Sequence, residues 1–71
     1  MALKLKEVEA LMGSPGKWDG KGHVFAAPTQ AAYARMNDVA KALMQRPKSE
    51  RPRFWDRGGS GPRAFVRIGL H

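Results

Sequence analysis

The C-terminal third of the chain constrains the fold most, because two β-prone runs there flank a glycine-rich break. The runs are residues 51–57 and 63–71, and the break is residues 58–62. Aromatic and β-branched residues bounded by glycine and proline are typical of strands joined by a turn. The segment therefore predicts a C-terminal β-hairpin with a glycine-rich tip.

Side chains of a strand alternate between its two faces, so each run can be divided in two. In the second run the apolar residues share one face, and these are Ala64, Val66, Ile68 and Leu70. We expect Phe54 to lie on this apolar side, in the core. We expect the other face to be exposed and to carry arginines and two aromatic rings, namely Arg53, Trp55, Arg57, Arg63, Phe65 and Arg67.

The N-terminal part predicts a short helix followed by a loop. Residues 3–12 place apolar side chains at helical spacing, and Gly13 stands where a C-cap glycine belongs. Residues 13–22 form a glycine-rich loop that contains Trp18, which either fills the core or stacks on a ligand. Residues 22–26 are predicted to be a short strand or an extended connection.

A longer helix is predicted over residues 28–46. Thr29 is a suitable N-cap, and Pro47 disfavours helical backbone at the residue before it. The buried stripe of this helix is expected to consist of Ala32, Met36, Val39, Ala40 and Leu43.

These elements predict an α+β fold in a single domain, residues 1–71, with two helices packed on one face of a small antiparallel sheet. The helix-plus-hairpin layout is also compatible with a winged helix, in which residues 28–46 would enter a DNA groove. A winged helix needs three helices, however, and residues 13–27 contain much glycine.

Charge indicates the class of partner. The 71 residues include 13 Lys and Arg against 6 Asp and Glu, a formal net charge of +7, which favours nucleic acid or an acidic protein surface. The absence of cysteine excludes disulfides and thiolate zinc sites and fits a cytoplasmic protein. No apolar stretch reaches the ~20 residues that span a bilayer, so we expect no membrane span.

The first hypothesis is a small non-catalytic nucleic-acid-binding protein, with DNA slightly favoured over RNA. Arginines of the hairpin would contact phosphates, and Trp55 and Phe65 would stack on bases. Lys17, Lys21 and Arg35 would extend the contact surface. The alternative is that the two rings only stabilise the hairpin as a cross-strand pair and that the arginines are a solvated face.

The second hypothesis is a compact basic inhibitor or adaptor, of the kind that phages and other mobile elements produce, which binds an acidic surface of a host protein. Trp55 and an arginine would then be the main contact residues. The small residues Ala31, Ala34 and Ala42 also allow a homodimer through close helix packing, although helix propensity is the stronger explanation for them.

Catalysis finds little support, because two histidines, no cysteine and scattered carboxylates predict no metal site and no cofactor. The fragment 21–25 is similar to the glycine-histidine strand of HicA-type mRNA-cleaving toxins. That resemblance implies His23 as a general acid or base. It covers five residues, and the chain departs from the family where a helix follows in place of a strand.

Overall fold

The computed structural model describes residues 2–70, which form two α-helices and a four-stranded antiparallel sheet. The helices are α1, Leu5–Met12, and α2, Gln30–Met44. The strands are β1 (Lys17–Trp18), β2 (His23–Ala26), β3 (Phe54–Gly58) and β4 (Phe65–Gly69). Short 3-10 turns at Lys48–Glu50 and Gly61–Arg63 precede β3 and β4. The predicted α+β class and the C-terminal hairpin are confirmed.

Local sequence signals set the helix ends. Thr29 has extended backbone, and its hydroxyl oxygen accepts a hydrogen bond of 3.1 Å from the amide of Ala32, as an N-cap should. Gly13 adopts the left-handed conformation at φ 76° and donates its amide to the Glu9 carbonyl at 2.8 Å. Both predicted caps are therefore confirmed, while each helix is a few residues shorter than predicted.

The sheet has the order β1-β2-β4-β3, so β4 pairs with both β2 and β3. Strand β1 lies inside the segment predicted to be a loop. It has two residues and pairs with β2 through Lys17 opposite Val24. Part of the glycine-rich segment thus forms a hairpin with β2, in which β1 is the edge strand of the sheet.

The core lies between one face of the sheet and both helices, as the sequence predicts. Phe25, Val66 and Ile68 are the buried apolar side chains of the central strands. From the helices they are joined by Val8, Met12, Met36, Val39 and Leu43. Because this layer is closed on one side by α1 and α2, the opposite face of the sheet lies away from the helices.

The register of the hairpin corrects two predictions. Trp55 stands opposite Ile68, whose side chain is fully buried, so Trp55 lies on the helix-covered face and packs against the core. Phe54 stands opposite Gly69 and lies on the other face. The prediction that Phe54 lies in the core and Trp55 shares the exposed face with Phe65 is wrong.

Two further expectations are settled by position. Trp18 is 64% exposed, so it does not fill the core. Within residues 2–70 there are two α-helices, and the segment between α1 and α2 forms β1 and β2. The three-helix arrangement of a winged helix is therefore not formed by the described residues.

Candidate nucleic-acid interface

Alternation and register place one set of side chains on the sheet face away from the helices, which we call the open face. Its members are Lys17, Val24, Ala26, Phe54, Asp56, Phe65 and Arg67. Lys17, Ala26 and Asp56 are exposed, and the rest are half-buried. The open face therefore combines two aromatic rings with basic side chains on one surface.

Each phenylalanine of the open face lies over glycine on an adjacent strand. The Phe65 ring covers Gly58, where a Cβ atom would stand 2.5 Å from Cζ of the ring. The Phe54 ring covers Gly69 and also reaches Gly22, whose Cβ would stand 3.0 Å from Cζ. Because glycine has no side chain, both rings settle directly on the backbone. The two phenylalanine–glycine pairs form two rows across the sheet, one at Phe65 and Gly58 and the other at Phe54 and Gly69. These rows lie about 13 Å apart, since Gly69 follows Phe65 by four residues of β4 at ~3.3 Å each.

Arg67 lies between these two rows. Its guanidinium carbon is 5.5 Å from the centroid of the Phe65 ring, a cation–π distance. Its Nε donates a hydrogen bond of 2.6 Å to Oδ2 of Asp19, in the turn between β1 and β2. The Arg67 side chain is thus held by two contacts, the hydrogen bond to Asp19 and the cation–π contact with Phe65.

Asp19 is firmly ionised. The backbone amides of Lys21 and Gly22 both donate to its Oδ1 at 2.9 Å, and Arg67 contacts its other oxygen. These amide hydrogen bonds, followed by the Arg67 guanidinium, lower the pKa of Asp19 to about 2. The carboxylate is therefore charged under all ordinary conditions.

Of the residues predicted to bind, five lie on or beside the open face. Lys17, Phe65 and Arg67 belong to it. Lys21 is exposed in the turn beside the Phe54 end of the face, and Arg63 is exposed in the turn that leads into Phe65. Charges thus stand at the β1 edge, in the middle and at both ends of the strands.

Three of the other predicted residues lie on the helix side of the sheet. Arg57 donates to the Tyr33 hydroxyl at 3.2 Å and to Oδ1 of Asn37 at 3.0 Å, both on α2. Arg35 rests against Gly13 at the end of α1. Trp55 stands opposite Ile68 on the helix-covered face, and the remaining residue, Arg53, is exposed just before β3 and is not part of the strand register. The nine predicted residues therefore do not form one surface.

A groove of about 660 Å³ separates the first turns of α2 from the hairpin tip. Its walls are mainly apolar and include Pro28, Tyr33, Ala34 and Pro62. Asn37, which accepts a hydrogen bond from Arg57, also lines it. This groove is a second concave surface, distinct from the open face.

His23 lies on the helix-covered face, opposite Ile68, with its ring centroid 5.2 Å from that of Trp18. Its Nδ1 is buried without a hydrogen-bond partner among the described residues. Within residues 2–70, no group of three or more His, Asp or Glu side chains is placed to hold a metal ion. Across the same residues, neither helix is long and apolar enough to cross a membrane.

Comparison of the chain with protein-family models, curated proteins and solved structures found no match. The site must therefore be judged on its chemistry. Aromatic rings on a sheet face can stack on bases, and arginine and lysine beside them can contact phosphates. The open face has both.

Two residues of this site were missed from the sequence. The apolar pattern of the sequence predicts Phe54 in the core, although Gly69 on the paired strand leaves room for its ring on the other face. The available signal is the hairpin register that sets both of its phenylalanines, Phe54 and Phe65, opposite a glycine. Asp19 had no such signal, because its partner Arg67 is 48 residues away.

Proposed function

We propose that this protein binds single-stranded nucleic acid on the open face and does so without catalysing a reaction. The observation that carries the proposal is the pair of rings, Phe54 and Phe65, on a sheet face that the helices leave uncovered, with Arg67 between them. Splayed bases stack on sheet aromatics in several RNA-binding folds, at ~1–3 kcal/mol per base.

A single strand suits this surface better than a duplex. Bases in a duplex are stacked on one another, whereas the rings of the open face need bases that are turned outward. The slight preference for DNA over RNA rests only on the analogy of a helix-plus-hairpin layout with small DNA-binding regulators. We therefore extend the proposal to single strands of either kind.

Charge supports the proposal at longer range. The chain carries a formal net charge of +7, which attracts a polyanion to the protein as a whole and not only to the open face. On the open face itself, Lys17 and Arg67 provide positive charge, and Lys21 and Arg63 lie beside it. Asp56 and Asp19 offset part of this local charge, so the rings must supply much of the affinity.

The test is a titration of labelled oligo(dT) and oligo(rU) by fluorescence anisotropy over a series of salt concentrations. Because phosphate contacts release counterions, the logarithm of the affinity should fall linearly with the logarithm of salt concentration. Lys17→Ala removes one phosphate contact and should flatten this slope by about 0.7.

The matched control is Lys41→Ala, which removes the same charge from an exposed position on α2. We expect its slope to equal that of the wild type. Equal slopes for both lysine variants would show that binding is diffuse and not located on the open face. Absence of oligonucleotide binding at low salt would refute the proposal.

A second candidate is binding of an acidic protein segment in the groove between α2 and the hairpin tip. The observation that favours it is Arg57, which Tyr33 and Asn37 hold at the edge of an apolar groove. An apolar cleft with a positioned arginine suits an acidic peptide with an aliphatic anchor.

The second candidate is tested with nuclease-treated lysate from a host cell. A stoichiometric partner should be retained by the wild type and by Arg35→Ala, and lost with Arg57→Ala. Both substitutions remove one exposed arginine, so total charge is matched. A partner that is retained equally by both variants would exclude the groove as its site.

A further inference from the structure

The turn between β1 and β2 is organised by one carboxylate. Oδ1 of Asp19 accepts from the amides of Lys21 and Gly22, and the Asp19 amide donates to the Gly22 carbonyl at 3.0 Å. These bonds close the turn on itself. They also fix the direction of the second carboxylate oxygen, which is the one that meets Arg67.

This second oxygen binds Arg67 through Nε. The two Nη groups of the guanidinium form no hydrogen bond to another described residue, so they remain available as donors. Arginine has a long, flexible side chain, and its rotamer entropy is lost when a ligand must order it. An arginine already held at Nε and against the Phe65 ring avoids much of that loss.

We propose that Asp19 is a positioning residue for nucleic-acid binding, and that it acts by holding Arg67 beside Phe65 with its Nη groups available to phosphate. This inference rests on the proposed function. It predicts that a negative residue strengthens the binding of a polyanion, because Asp19 is negative and stands next to the proposed binding surface. Bulk electrostatics alone requires that removal of its charge should strengthen binding.

The chain offers a matched control in Asp56. This residue is exposed on the open face, directly opposite Arg67 in the strand register, and its carboxylate makes no hydrogen bond or salt bridge to another described residue. Asp19→Asn and Asp56→Asn raise the net charge equally. The Asp19→Asn side chain keeps an acceptor for the turn amides and loses the charged acceptor for Arg67 Nε.

The experiment measures the affinity of labelled oligo(dT) for the wild type and both variants at one salt concentration. We expect Asp56→Asn to bind as tightly as the wild type or more tightly, and Asp19→Asn to bind severalfold more weakly. In an Arg67→Ala background, Asp19→Asn should cause no further loss. A purely structural role of Asp19 would weaken binding in both backgrounds.

Arg67→Lys provides a second route if Asp19→Asn does not fold at the assay temperature. It preserves the charge and removes the Nε donor, and we expect it to bind severalfold more weakly than the wild type. Binding by Asp19→Asn as tight as by Asp56→Asn, or wild-type affinity in Arg67→Lys, would overturn the inference while the proposed function stands. No binding by the wild type would overturn both.

Discussion

The phenyl ring of Phe54 occupies the space that a side chain on Gly69 would need. Three atoms of the ring lie closer than 3.0 Å to the position of a Cβ atom on Gly69, which is itself buried beneath the ring. The two residues face each other across β3 and β4. Because Gly69 has no side chain, the Phe54 ring lies directly on the backbone of β4.

Gly69→Ala is therefore expected to destabilise the protein by about 1–3 kcal/mol, because the added methyl group must displace Phe54 or the backbone. The measurement is urea denaturation followed by circular dichroism. In a Phe54→Ala background the methyl group has room, and the same substitution should cost much less. An equal loss in both backgrounds would contradict the proposed contact.

Removal of either open-face ring is expected to weaken oligonucleotide binding without changing its salt dependence. Phe54→Leu and Phe65→Leu retain apolar cover over the glycines and abolish stacking, at a cost of ~1–3 kcal/mol of binding free energy each. Anisotropy titrations over a salt series measure both quantities.

Trp18→Ala is the control for this pair, because it removes an exposed aromatic ring from the opposite side of the sheet. Its affinity should equal that of the wild type. A loss as large as that of the phenylalanine variants would mean that the ligand binds elsewhere.

Asp19 is expected to contribute to stability at neutral pH and not at strongly acidic pH. Its pKa is about 2 in the folded protein against an ordinary value of 3.8, so the folded state favours the ionised form. The contribution is complete above pH 3.8 and declines as the pH falls from there toward about 2.

The measurement is the difference in unfolding free energy between the wild type and Asp19→Asn across that pH range. Other carboxyl groups titrate in both proteins and cancel in the difference. A difference that stays constant down to the lowest pH would show that the charge of Asp19 contributes nothing.

Thr29→Ala is expected to destabilise the protein by ~1 kcal/mol, because the Ala32 amide at the start of α2 loses its hydrogen-bond partner. Thr29→Ser keeps the hydroxyl and should be close to the wild type. Ser49→Ala removes an exposed hydroxyl without a cap bond and serves as the control. Thermal denaturation ranks the three variants.

The helices and the hairpin could be predicted because their signals are local. Thr29 and Gly13 specify helix ends through their own chemistry, and alternation sorts the side chains within each strand. The two-residue strand β1 could not be predicted, since Lys17 and Trp18 acquire strand geometry by pairing with β2. Tertiary contact decides such short elements.

The face of each hairpin residue depended on the length of the loop. If residues 58–62 formed the whole loop, Arg57 would stand opposite Arg63 and Trp55 opposite Phe65. The observed loop runs from residue 59 to residue 64 and closes on Gly58 opposite Phe65. This shift in pairing exchanges the faces of Phe54 and Trp55 relative to β4.

Strand β4 occupies a central place in the sheet although it is the last described strand along the chain. A nascent polypeptide on the ribosome therefore cannot complete the sheet when α2 emerges. Strand β2 pairs with β4, for example His23 with Ile68, and β4 is synthesised later. The earlier segments remain without their main partner until translation passes β4. Assembly should then be late and cooperative, and a chain stopped before Phe65 should fail to fold.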